Sequence, residues 1–170
     1  MPFSHTTRQG KKYYLHTAPK KGGGVRHFVS TKPTGELAES IPDGFEIHET
    51  VNGQVHLRRK KPSLIQSPEL EFIQQQLKKC ATRNHRYAVE VNGDQIVIHE
   101  STTGFGFARE LNPFLTERAL EDISAKHAHY MPIMRFVLQD PAKRLFLPER
   151  YCFRGSVDDW ISIGEPEIIE

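Results

Sequence analysis

Cysteine is scarce in this chain, with only Cys80 and Cys152 in 170 residues. The two form no spacing pattern, which argues against a disulfide framework and makes a reducing cytoplasm the expected setting. Long apolar runs are missing as well. None approaches the roughly 18 residues a membrane helix needs, so no membrane partner is expected. The opening MPFSHTTRQGKKYY has no apolar stretch of the kind a secretory signal requires. Nucleotide fingerprints are absent too. GFGFAR, residues 104–109, lacks the third glycine of a dinucleotide loop, and GKKYY, 10–14, has neither the upstream glycine nor the hydroxyl residue of a phosphate loop. No cofactor is implied.

What is present belongs to an ordinary folded protein. The length suits one domain with a hydrophobic core that needs no staples, and 37% hydrophobic residues can supply that core. Net charge is +2, unevenly spread: residues 1–62 carry +6 and residues 63–170 carry −4. This asymmetry separates a basic N-terminal β-hairpin region, 1–62, from an α+β remainder, 63–170. The best linker lies at 59–67, although the two parts are expected to form one compact domain. An anionic partner for the basic part is one reading of the imbalance, and mutual packing of the two parts is the other.

The pattern along the chain reads as an α+β fold, mainly antiparallel sheet built from three β-hairpins with two intervening helices. Ahead of the hairpins, KKYYLHT (11–17) and VRHFVST (25–31) are aromatic and β-branched strands flanking a basic loop. The connector 33–44 leaves room for one helical turn around Leu37. The first hairpin, FEIHETVNGQVHLRR (45–59), permits a register argument. A two-residue Asn52-Gly53 loop would mix core and solvent residues on each face. A three-residue loop with Gly53 in the left-handed conformation instead gathers Phe45, Ile47, Val55 and Leu57 on one face. Glu46 then pairs with Arg58, and His48 with His56.

Ser67 and Pro68 read as the cap and first residue of a helix whose apolar stripe is Leu70, Ile73, Leu77, Cys80 and Ala81. RYAVEVNGDQIVIHES (86–101) is a second Asn-Gly hairpin with a two-residue loop, placing Tyr87, Val89, Ile96 and Ile98 together. Asn112-Pro113 is expected to cap a second helix running to about Lys126, with Leu115, Ala119, Leu120, Ile123 and His127 on its apolar face. The last hairpin, 132–149, turns at Asp140-Pro141, and its strands are apolar on both faces, as central strands are.

Three groups of residues carry candidate chemistry. The first is basic and aromatic: Lys11, Lys12, Lys20, Lys21, Arg26, Arg58, Arg59, Lys60 and Lys61 for anion binding, with Tyr13, Tyr14 and Phe28 for base stacking. The glycine-lysine loop PKKGGGVR (19–26) could also wrap a phosphate. The second is Cys152, set between Arg150 and Arg154 on one face of a strand ERYCFR, where cations would favour a thiolate. Tyr151 and Phe153 are expected on the opposite, buried face. The rest of YCFRGSVDDW (151–160) reads as a closing turn: Gly155 ends the strand, Ser156 caps a helical turn holding Asp158 and Asp159, and Trp160 folds onto the core. The third is histidine, chiefly His48 with His56 across the first hairpin, and His127 with His129. Spacing implies no third ligand, so no metal is expected.

Two classes of function follow. One is a non-enzymatic intracellular binding module whose basic N-terminal part meets nucleic acid or an acidic protein surface. The alternative is a small enzyme using Cys152 or a histidine cluster. The binding module is the leading reading, and nothing in the sequence sets an oligomeric state.

Overall fold

The computed structural model describes residues 1–81, 85–102, 114, 116–154 and 157–169. The chain divides into two compact units, Met1–Lys61 and Pro62–Glu170. It is α+β, mostly antiparallel sheet with two helices among the described residues. Among the described residues, the expected single sheet is instead three sheets of different size.

In the first unit, β1 (Ser4–Thr6), β2 (Lys12–Pro19) and β3 (Val25–Ser30) form an antiparallel sheet with β2 in the middle. The β2–β3 ladder runs from Tyr14 opposite Ser30 to Pro19 opposite Val25. Its loop closes through Lys20 N–H to the Gly24 carbonyl at 3.0 Å and Gly23 N–H to the Lys20 carbonyl at 3.1 Å. Gly23 and Gly24 hold φ of 87° and 83°, which side chains resist, so the glycines serve the turn itself. The connector does not form a helical turn at Leu37. It runs extended along β2 beyond the end of β1, with Leu37 bridged to His16 and Ala38 N–H donating to the Leu15 carbonyl at 2.8 Å. The open edge of β2 has backbone groups to satisfy, and Gly35 at φ 113° directs the chain along it.

β4 (Phe45–Glu49) and β5 (Val55–Arg59) form the first hairpin in the register argued from its apolar face: Glu46 faces Arg58, Ile47 faces Leu57, and His48 faces His56. Gly53 has φ 74°, as the bulged loop requires. Leu15 and Val55 are the buried aliphatic residues of this unit. Glu49 joins the hairpin to β1, taking His5 Nε2 at 2.7 Å and the Arg8 backbone N–H at 2.9 Å.

In the second unit, β6 (Tyr87–Asn92), β7 (Gln95–Ser101), β8 (Tyr130–Asp140), β9 (Leu145–Arg154) and β10 (Val157–Ser162) lie in the order β10-β9-β8-β7-β6, and β11 (Glu167–Ile168) also pairs with β9. Helix α1 (Ser67–Cys80) places Ile73 against Ile96, Ile98, Leu138 and Phe146, the buried core, with Leu70 and Leu77 beside it. The helix cap is Gln66 rather than Ser67: Glu69 reaches back to accept the Gln66 backbone N–H at 2.7 Å. Cys80, expected on the stripe, is exposed at the last turn.

The second Asn-Gly hairpin keeps Tyr87, Val89, Ile96 and Ile98 on one face, but its loop is Gly93-Asp94, with Asn92 paired to Gln95. Positive φ at Gly93 alone fits a turn whose first central residue is glycine. Helix α2 (Glu117–His127) starts at a Thr116 cap, whose hydroxyl accepts from Ala119 N–H at 3.3 Å. Asn112, Pro113 and Leu115 lie outside the described residues, as does the loop ahead of them. The buried side of α2 is also turned from the expected one: Leu120 and Ser124 are buried, followed by Ala128 just past the helix, while Ile123 and His127 face solvent.

The largest correction falls on the closing segment. Residues 157–162 are not a helical turn but strand β10, paired with β9 from Val157 opposite Arg154 to Ser162 opposite Glu149. Gly155 and Ser156 lie outside the described residues. The edge of β9 offers a full row of donors and acceptors, and satisfying it outweighs the capping preference of Ser-Val-Asp-Asp. Trp160 lands opposite Tyr151, its ring meeting the tyrosine edge-on at 5.1 Å, with the Arg135 guanidinium 4.4 Å from its centroid.

Candidate nucleic-acid interface

Strand alternation sorts the basic and aromatic residues of the first unit onto two faces. On β2, Tyr13 shares a side with the fully buried Leu15, and this is the less exposed side, since its β3 partners His27 and Val29 are half-buried while Arg26 and Phe28 on the other side are exposed. Lys12, Tyr14 and His16 share the other. The ladder sets His16 opposite Phe28 and Ala18 opposite Arg26, so Phe28 and Arg26 join them. Four of the twelve residues named for anion binding or stacking therefore meet on one sheet face: Lys12, Tyr14, Arg26 and Phe28.

Their side chains touch in pairs. Lys12 Nζ lies 5.4 Å from the centroid of the Tyr14 ring, and the Arg26 guanidinium carbon lies 5.3 Å from that of Phe28. Cations at such distances are attracted by the electron-rich ring face. Phe28 keeps 39% of its surface exposed, a large share for a phenylalanine. Beside it, the His16 imidazole stacks on the phenyl ring at 5.1 Å and 18°. His16 is itself buried, and its Nε2 is 3.0 Å from the Lys32 carbonyl. The histidine thus steadies Phe28 from the sheet side.

The remaining candidates fall elsewhere. Tyr13 is on the less exposed side with Lys11 Nζ 5.4 Å from its ring. Lys20 and Lys21 are exposed in the β2–β3 loop. That loop spends the Lys20 and Gly23 amides on its own hydrogen bonds, which leaves fewer donors for a bound phosphate. Arg58 is engaged by Glu46 at 2.8 Å. Arg59, Lys60 and Lys61 are exposed at the end of β5.

Cys152 is half-buried and sits directly opposite Asp159 across the β9–β10 ladder, so the residue facing it carries a negative charge. Arg150 is exposed, and Arg154 is placed only by its backbone pairing, its side chain lying outside the described part. Phe153, expected on a buried face, is 69% exposed. His48 and His56 do face each other, but no group of three or more His, Cys, Asp or Glu residues that could hold a metal ion occurs among the described residues. No helix among them is long and apolar enough to cross a membrane.

The sequence pointed to Tyr14, Phe28, Lys12 and Arg26 individually but did not single out His16. Its signal was the two-residue spacing from Tyr14, which places both on one strand face. Comparison with protein-family models, with curated proteins and with solved structures finds no match to this chain.

Proposed function

We propose that residues 1–61 act as a nucleic-acid-binding module, with the outer face of the β1–β3 sheet as its contact surface. The observation that carries this reading is the gathering of Lys12, Tyr14, Arg26 and Phe28 on one face. Cations beside partly exposed aromatic rings meet both halves of a nucleotide, the phosphate by charge and the base by its π face. A net charge of +6 over residues 1–61 attracts a polyanion at longer range.

The test is fluorescence anisotropy of labelled oligonucleotides with the full chain as salt is raised. Affinity should fall steeply, because each neutralised phosphate releases counterions. Arg26→Ala and Lys12→Ala should weaken binding across all sequences and make the salt slope shallower. Lys11→Ala, on the less exposed side, should change it little. If no oligonucleotide binds at low salt, the reading fails, and an acidic protein surface becomes the partner to test for this face.

A further inference from the structure

Tyr14 and Phe28 stand on neighbouring strands but are not direct partners: Tyr14 faces Ser30, and Phe28 faces His16. They are diagonal neighbours, a relation that separates residues by about 7–8 Å. Successive bases in a stacked strand are about 3.4 Å apart along the helix. Two adjacent bases cannot occupy both rings while stacked on each other. Each ring also has its own cation, Lys12 over Tyr14 and Arg26 over Phe28. The face is thus a twofold repetition of one nucleotide-sized unit, at a spacing that matches an extended strand and not a duplex.

Resting on the reading above, we infer that the face selects single-stranded nucleic acid, seating two successive unstacked bases on Phe28 and Tyr14 with phosphates at Arg26 and Lys12. His16 is a positioning residue. It stacks on Phe28 and is tied to the Lys32 carbonyl, so it holds the phenyl ring in place without reaching the ligand.

The probe is an oligodeoxythymidine of about eight nucleotides, compared with a hairpin duplex carrying a similar number of phosphates. Phe28→Ala and Tyr14→Ala should each weaken the single strand roughly tenfold and leave the duplex unchanged. Phe28→Leu separates stacking from packing, because leucine still covers His16 but offers no π face. It should lose single-strand affinity almost as Phe28→Ala does, with the melting temperature preserved. His16→Leu should weaken the single strand less than Phe28→Ala does and leave the salt slope intact. Photocrosslinking of 5-iodouracil-substituted strands should mark Tyr14 and Phe28 and spare Tyr13. Equal binding of duplex and single strand, insensitive to Phe28→Leu yet lost in Arg26→Ala, would overturn the single-strand inference and leave the nucleic-acid reading standing. Binding to neither probe would remove both.

Discussion

Arg144 grips Glu69 with two prongs of its guanidinium, Nε to Oε1 at 2.7 Å and Nη2 to Oε2 at 2.6 Å, joining residues 75 positions apart. The pair ties the β8–β9 turn to the first turn of α1. Glu69 is almost wholly buried and also accepts the Gln66 N–H, so one carboxylate caps the helix and anchors the hairpin. Arg144 donates further to the Leu64 carbonyl at 3.0 Å and lies over the Phe146 ring. It does this at φ 57°, the only non-glycine residue with positive φ among those described.

Removing the arginine leaves a buried carboxylate short of a partner. Because Arg144 is 23% exposed, Arg144→Ala should cost about 2–3 kcal/mol, below the full penalty of a deeply buried pair. Arg144→Gly loses the same ion pair but relieves the left-handed backbone, so it should be the milder variant by about 1 kcal/mol. Urea unfolding followed by Trp160 fluorescence measures both. An alanine variant as stable as the glycine variant would show that the backbone at Arg144 is unstrained.

The Gly53 bulge yields a second prediction. At φ 74° a β-branched residue is strained, and a Cβ there would meet the Gln9 side chain at 3.4 Å. Gly53→Val should therefore destabilise the first unit by about 1–2 kcal/mol, and Gly53→Asn by less, since asparagine tolerates this conformation. Thermal melts of the two variants should separate in that order. A valine variant that melts like the parent would contradict the bulged loop.

The sequence was legible where apolar residues admit a single arrangement. Only one loop length puts Phe45, Ile47, Val55 and Leu57 on the same side, so the 45–59 register followed from them. Strand β10 offers no such signal, because Trp160 and Ile161 alternate to opposite faces. Its acidic start imitates a helix cap, and its pairing depends on β9, which no local pattern reveals. In α2 the buried position one turn after Leu120 is a serine, Ser124, which carries no apolar signal, so the hydrophobic pattern points toward Ile123 and His127 instead. The candidate site was readable as a list of residue types but not as a surface. With three consecutive glycines in the β2–β3 loop, turn chemistry gives no register, and without it Phe28 cannot be placed beside His16 rather than another β2 residue.

Cys152 provides a check on the enzyme alternative. It is half-buried opposite Asp159, whereas Cys80 is exposed at the end of α1. Iodoacetamide near neutral pH should label Cys80 first, and Cys152→Ser should leave the fold intact. Faster labelling at Cys152 would indicate an activated thiol and bring the nucleophile reading forward.

His99 makes the second unit sensitive to acid. It lies on β7 where the ladder to β8 shifts register, and only 8% of its surface is exposed. Burial lowers its pKa below the ordinary value of 6.5, opposed by the Glu90 carboxylate 3.9 Å from Nε2, which favours the charged ring. The unfolded chain takes up this proton near 6.5, while the folded chain resists until lower pH. Between those points the unfolded state binds more protons, so stability decreases as pH falls through about 6.5 and continues to fall until the folded pKa is passed. His99→Gln removes that contribution. The chain holds eight further histidines, so the readout is the difference in pH dependence between parent and variant. Urea midpoints at about pH 7.5 and about pH 5.5 should spread further apart in the parent. Equal spreads would mean that His99 takes up its proton at the same pH in the folded and unfolded chain, and that its burial carries no cost.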